Sequence, residues 1–283
     1  MKTVKHIVIP YKFFNLYDLL SLNISLYMWK KHYSEKAQLY IIGDKATGEL
    51  INRNPLVNKK GLKFIEYNNS VMKIHKKYPK GSKTFLLNSE IILLNDLFKG
   101  EDFIFASDDR FPIYDIDDSY LNIQHKLLGK YPKWNVRVSK NNHWKWLMEK
   151  GAEFMKTEYG IREPILFKNH YFTKYTNDFI SWFKPYQFRF DLAQMLTYYR
   201  LYVKKEVNLK DIYKPEMIIT TKEFGKDNHI DFNKRGKTLF GLSVSNPEHN
   251  LPLFKKLIEI EEIDGKNRIT LDSLIKLIEK GVK

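Results

Sequence analysis

The 283-residue chain contains no cysteine. That excludes a disulfide framework, a thiol nucleophile and a thiolate metal site, so any bound ion must be held by oxygen or imidazole. Phosphate-cradling glycine loops are also missing. Neither Gly-x-Gly-x-x-Gly nor Gly-x-x-x-x-Gly-Lys-Ser/Thr occurs, which argues against a dinucleotide oxidoreductase and a P-loop kinase. The eight histidines form no His-Glu-x-x-His or comparable pair, and His125, His143 and His170 read as surface or hydrogen-bonded core residues. Long apolar runs are absent as well: Ile7-Val8-Ile9 is too short for a signal-peptide core, and no later segment reaches a spanning length. The expectation is a soluble, cytoplasmic protein.

What the chain has in excess is positive charge and apolar side chains. A net charge of +15 attracts polyanions, whether nucleic acid, anionic membrane or phosphorylated small molecules. The lysines are spread out, as in Lys30-Lys31, Lys59-Lys60, Lys76-Lys77 and Lys204-Lys205. No dense basic tract marks a nucleic-acid arm, so a nucleic-acid partner is not expected. A hydrophobic fraction of 43% supplies a substantial core. No repeat or linker divides the chain, which predicts one domain over residues 1–261 with a helical extension, 262–283, packed on it.

The order of elements predicts an α/β fold with a mostly parallel central sheet flanked by helices. Lys5 to Pro10 reads as a buried strand, and Asn15 can cap a helix reaching about Lys31. Gln38 to Ile42 then forms a second strand that ends at Gly43-Asp44. Strand, helix, strand is the signature of a right-handed parallel crossover. A weaker strand is expected at Leu62 to Glu66, and a buried helix from Thr84 to Phe98 that Gly100 ends as a left-handed cap. The run Asp102 to Ala106 is almost wholly apolar, as a strand covered on both faces should be. Further elements are a helix from Asn142 to Met155, a strand at Pro164 to Phe167, and a periodic helix from Leu192 to Val203. Strands at Pro215 to Thr220 and Thr238 to Val244, a helix opened by Pro252 and a last helix capped by Thr270 complete the pattern.

The chemistry concentrates where the apolar strand ends, in Ser107-Asp108-Asp109-Arg110. Open α/β sheets bind ligands at the carboxyl ends of their strands. Two adjacent carboxylates repel, and a divalent cation carrying a diphosphate is one way to offset that repulsion. The other interpretation is an exposed acidic turn with Arg110 as its local partner.

Several stations in order resemble a family of bacterial and phage glycosyltransferase-like proteins with the nucleotide-diphospho-sugar transferase (GT-A) fold, a Rossmann-like fold. They are Ile9-Pro10-Tyr11-Lys12, a helix rich in Leu and Ser, Ile41-Ile42-Gly43-Asp44-Lys45, and Glu101 to Asp109. Tyr159 to Pro164, Gln187-Phe188-Arg189 and Leu242-Ser243-Val244-Ser245 follow. The match covers most of the chain to about Glu261, in short and degenerate stations. It departs from the family at two points: the acids are Asp-Asp-Arg without the spaced Asp-x-Asp, and Arg162 stands at the family's histidine station. An arginine there can grip phosphate but cannot be a metal ligand or a base.

The resemblance implies a hexosyltransferase that moves sugar from a nucleotide-diphospho-sugar donor to a glycan or surface-polysaccharide acceptor, with peripheral contact at an anionic membrane. Asp108 and Asp109 would place Mn2+ or Mg2+ and, with Arg110, form the catalytic centre. Tyr11, Lys12, Asp44, Arg162 and Arg189 would contact the donor, although Asp44 also suits a plain turn after Gly43. Developing charge on the departing diphosphate needs such a cation or Arg and Lys donors. The base stays open. Asp115, Asp117 and Asp118 suit a polar loop, and Asp191 suits stabilisation of a helix N-terminus. Trp144 with Trp146, and Tyr198-Tyr199 with Tyr202, fit core packing at helical spacing better than sugar stacking. Two alternatives remain. A capsule-type sugar-phosphate transferase would leave a phosphodiester in its product. A non-catalytic nucleic-acid binder would lose affinity steeply with salt and survive Asp109→Ala.

Overall fold

The computed structural model describes residues 4–13, 16–54, 61–67, 82–108, 110–113, 115–118, 121, 125–131, 142–169, 173–209, 218–219, 238–240, 272 and 275–276. Asp109, the Asn15 and Thr270 caps, the Pro252 helix, most of the 262–283 extension and Leu242 to Ser245 lie outside these residues.

Strand β1 (His6–Pro10) carries Ile7, Val8 and Ile9 with no exposed surface, each contributing about 1.5–3 kcal/mol by burial. Helix α1 (Leu16–His32) follows, then β2 (Gln38–Gly43), α2 (Lys45–Arg53) and β3 (Lys63–Glu66). Strand β1 pairs in parallel with β2, and β2 with β3, giving the expected βαβ unit. Helix α3 (Ser82–Leu97) leads to β4 (Phe103–Phe105), whose three residues are all buried, as its unbroken apolar sequence demands. Gly100 has φ +78° and donates its N–H to the Asn95 carbonyl at 3.0 Å, so it closes α3 in the left-handed conformation expected of it.

The remaining elements are β5 (Arg110–Pro112), β6 (His125–Lys130), α4 (Asn142–Tyr159), β7 (Ile165–Asn169), β8 (Thr173–Tyr175), α5 (Asn177–Phe183), α6 (Leu192–Tyr198), β9 (Ile218–Ile219) and β10 (Thr238–Phe240). The main sheet has the order β3-β2-β1-β4-β8, and smaller sheets are formed by β5-β10-β9 and by β6-β7. The molecule is therefore a Rossmann-like α/β protein with a mostly parallel sheet and flanking helices. The sequence pattern missed α2, β5, β6, β8 and α5; of these β5 and β8 have only three residues each, whereas β6 is as long as β2. It also read as one helix what is α6 followed by a π-helical turn, Tyr199–Val203.

By compactness the chain forms two units. The first comprises Met1–Glu66, Ile104–Ser119 and Pro215–Lys283, and the second Tyr67–Phe103 and Tyr120–Lys214. In the first, α1 is buried on nearly all sides through Leu19, Leu20, Leu22, Ile24, Leu26, Met28 and Trp29. Its polar residues are the ones that matter for the site. In the second, Phe179 and Phe183 are fully buried and their rings stack at 5.6 Å, and Phe154, Tyr186 and Phe190 pack together nearby. Aromatic pairs of this kind add about 0.5–1.5 kcal/mol each beyond area burial.

Candidate functional site

Parallel pairing puts the carboxyl ends of the first unit's strands side by side. Pro10 lies opposite Ile42, so the next residues of the two strands, Tyr11 and Gly43, emerge together. Tyr11 donates its N–H to the Ile42 carbonyl at 3.0 Å. A Cβ added at Gly43 would come within 3.0 Å of the Tyr11 carbonyl oxygen and 2.8 Å of Thr47 Cγ2, so only glycine permits this approach. On the other side of β1, the Ala106 N–H reaches the Val8 carbonyl at 2.8 Å. Tyr11 and Asp108, a few residues further along, then lie within electrostatic reach of each other. Strands progress from β1 to β2 to β3 on one side and resume with β4 on the other, so Tyr11 and Asp108 flank the topological switch point. That is where doubly wound sheets bind ligands.

The segment after β4 is fixed from below by α1. Ser21 Oγ donates to the Asp108 carbonyl at 2.8 Å, and Ser25 Oγ donates to the Ser107 carbonyl at 3.3 Å. Both serines are buried. Their spacing of four puts them on one helix face, and small hydroxyls let the helix approach the loop closely. The Arg110 N–H returns to the Ser107 carbonyl at 3.3 Å, making a tight turn before β5. Ser107 Oγ reaches Asp108 Oδ1 at 3.3 Å. The Asp108 side chain is half-buried, as is Arg110, whose backbone pairs with Phe240.

Tyr11 is 3% exposed, and its hydroxyl has no hydrogen-bond partner among the described residues. Burial, together with the charges of Asp108 and Asp18, pushes this phenol well above its ordinary range and keeps it protonated. Asp18, also buried, went unnoticed in the sequence; its position in the first turn of an otherwise apolar helix was the available signal. Lys12 is exposed and lies in the field of Asp44. Asp44 caps α2: Oδ1 accepts the Thr47 N–H and hydroxyl, both at 2.8 Å. These bonds, with Lys12, hold its carboxyl below the usual range. The cap accounts for Asp44 locally, and the sheet also places it beside Tyr11 and Lys12.

The main sheet thus brings Tyr11, Lys12, Asp44 and Asp108 to the carboxyl ends of its strands within the first unit, and Arg110 stands two residues after Asp108, at the start of β5 in a smaller sheet. Arg162 and Arg189 belong to the second unit, and both are exposed. Asp115 meets His32 Nδ1 at 3.0 Å, and Asp118 accepts the Tyr33 hydroxyl at 2.6 Å, so these acids tether a polar loop to the end of α1. Asp191 is the N-cap of α6, its Oδ1 accepting the Gln194 N–H at 2.9 Å. Tyr198 and Tyr199 pack in the interior as expected, whereas Trp146 does not: it is 46% exposed with Lys150 Nζ 6.0 Å from its ring centre. The face of α4 that carries Trp146 is the outer one, while Leu147, Met148, Ala152 and Met155 point inward.

A divalent cation can be tested against the donors present. Among the described residues no group of three His, Asp or Glu side chains comes together. A cation carried by a diphosphate needs less, because Mg2+ typically keeps several waters and takes only one or two carboxylates beside the phosphates. Asp108 supplies one such carboxylate at the switch point, and the residues fit a cation brought by its ligand better than a permanently caged one.

The sheet order defines a Rossmann-like α/β protein in which Asp108 follows the carboxyl end of β4, beside that of β1. No protein-family model matches the chain. No curated protein matches it. Solved structures similar to it include the PaToxG glycosyltransferase, at 11% identity over 70% of each chain with a TM-score of 0.31. Another is the apo form of mouse xyloside xylosyltransferase 1, at 8% identity over 83% of this chain and 96% of that one, with a TM-score of 0.41. Among the described residues no helix is long and apolar enough to cross a membrane.

Proposed function

We propose that the chain is a glycosyltransferase of the GT-A type, transferring a hexosyl unit from a nucleotide-diphospho-sugar to a glycan or surface-polysaccharide acceptor. The observation that carries this is Asp108 at the β1/β4 switch point, with its carbonyl and that of Ser107 tied to Ser21 and Ser25, and with the buried Tyr11 phenol, which has no hydrogen-bond partner among the described residues, beside it. The first unit's residues alone support the donor site. Asp108, with Asp109 next to it in sequence, would hold Mn2+ or Mg2+, which neutralises charge on a departing diphosphate. Arg110 and Lys12 add cationic donors for the phosphates. Asp44 offers acceptors to ribose hydroxyls, and the Tyr11 hydroxyl offers a proton to a ligand oxygen. The charge of +15 supports approach to an anionic membrane face.

The test is thermal unfolding with a panel of nucleoside diphosphates and nucleotide sugars, each with and without Mn2+. A true donor nucleotide at a hundredfold excess over Kd should stabilise the fold by about 2.7 kcal/mol. Asp108→Asn should abolish most of that stabilisation while leaving the unliganded melt close to that of the parent. If no nucleotide moves the melt, the donor site is not there.

A further inference from the structure

The second unit contains a polar pocket of about 200 Å3 lined by Lys174, Thr176, Asp178, Tyr199, Arg200, Glu206 and Val207. We propose that this pocket binds one neutral pyranose ring of a glycan. Assigning that ring to the acceptor rests on the transferase function proposed above; the binding itself does not.

The pocket is built around a buried charge. Arg200 is 7% exposed, and Nη2 donates to the Lys174 carbonyl at 3.1 Å, but Nη1 has no partner among the described residues. A guanidinium donor left unmet in the interior costs more than a neutral one, so an acceptor oxygen brought by a ligand is favoured there. Nη1 is covered by its neighbours, and a hydroxyl reaching it moves one of them aside.

The charges of the lining identify the class of ligand. Lys174 and Arg200 are positive, and Asp178 and Glu206 are negative, so the wall is balanced. Two further charges balance as well: Lys174 pairs with Asp102 at 3.4 Å and Asp178 with Lys204 at 3.0 Å. Asp178 is engaged by its own unit, accepting from Phe179 N–H at 2.9 Å, Tyr199 hydroxyl at 2.9 Å, and the Thr176 hydroxyl. Glu206 stands at an exposed position, and its carboxylate is the charge that most favours the charged form of Arg200 against burial.

A phosphate or carboxylate would meet Arg200 but would also face Glu206 and Asp178, and an ammonium group would face the reverse. Hydroxyls donate and accept, so a polyol can satisfy Arg200 and Glu206 at once without bringing a net charge inside. Tyr199 and Val207 add apolar wall for the C–H faces of a ring. The volume lies below the about 300–1,000 Å3 of sites for larger ligands, which limits the occupant to a single ring.

Trp182 provides the reporter, because its ring lies 5.1 Å from that of Tyr199. The full chain is titrated, without nucleotide, with neutral monosaccharides (glucose, galactose, mannose, N-acetylglucosamine), with inorganic phosphate and with acetate, following tryptophan fluorescence. At least one sugar should give a saturable change, absent in Trp182→Phe, and Glu206→Ala should weaken it about tenfold, the loss of one hydrogen bond to a charged group. Glu206 is exposed, so this variant should still fold, with a melt lowered slightly by the loss of a charge that offsets Arg200, and should keep any nucleotide-induced shift. The proposal is overturned if no neutral sugar binds, if phosphate or acetate binds and sugars do not, or if sugar binding is indifferent to Glu206→Ala. Nucleotide shifts measured on the same protein report on the donor site separately, so either site can fail without the other.

Discussion

Replacing Glu90 by Gln should make the protein's stability less dependent on pH. Glu90 lies on α3 and is 3% exposed, one helical turn from Leu94, which has no exposed surface. Burial pushes its carboxyl from an ordinary 4.5 up to about 7, and a hydrogen bond from Tyr67 only partly opposes this. A carboxyl whose pKa is raised by folding is bound to its proton more tightly in the folded state. Between the two values the unfolded chain has lost that proton while the folded one keeps it, so stability falls as pH rises and levels off above about 7. The gap of roughly 2.5 units corresponds to about 3 kcal/mol. Most of this, about 2.5 kcal/mol, is lost between about pH 5 and pH 8. Glutamine resembles the protonated acid in shape and cannot ionise. Urea unfolding of parent and Glu90→Gln should therefore give a difference that shifts in favour of the variant by about that amount over this range. If the difference is the same at both ends, Glu90 is not buried as a carboxylic acid and the reasoning is refuted.

Asp191→Ala removes a buried N-cap at 2.9 Å from the Gln194 amide, which should cost about 1–2 kcal/mol and lower Tm by a few degrees in calorimetry. Gly43→Ala forces a Cβ against Thr47 and the Tyr11 backbone; a loss of about 1–3 kcal/mol in chemical denaturation is expected, with weaker nucleotide binding. Tyr11→Phe deletes a buried hydroxyl that has no partner among the described residues, so the unliganded fold should be as stable as the parent or slightly more stable. The same variant should bind the donor nucleotide less tightly by thermal shift. A Tyr11→Phe protein that is less stable and binds nucleotide normally would contradict both expectations.

Local chemistry made much of the first unit legible in the sequence. The apolar runs of β1, β2 and β4 announce buried parallel strands because they lack the alternation of a half-exposed sheet, and Gly43-Asp44 announces a strand end followed by a turn, which the structure shows to be the capped start of α2. Gly100 could be placed as a left-handed helix end because few other residues take positive φ without cost. The acids after β4 stood out for the same reason: charge directly after a fully buried strand must lie at an edge of the sheet.

What the sequence could not reveal is which residues meet across long separations. That Ser21 and Ser25 hold the loop at 107–108 depends on the rotation of α1 beneath β4, over more than eighty residues of chain. The Glu90 burial, the charge-balanced pocket around Arg200 and the outward turn of Trp146 were decided in the same way. Periodicity along a helix tells that one face will be covered, but packing against partners distant in sequence decides which face it is. It also decides whether a polar group on that face finds a partner there.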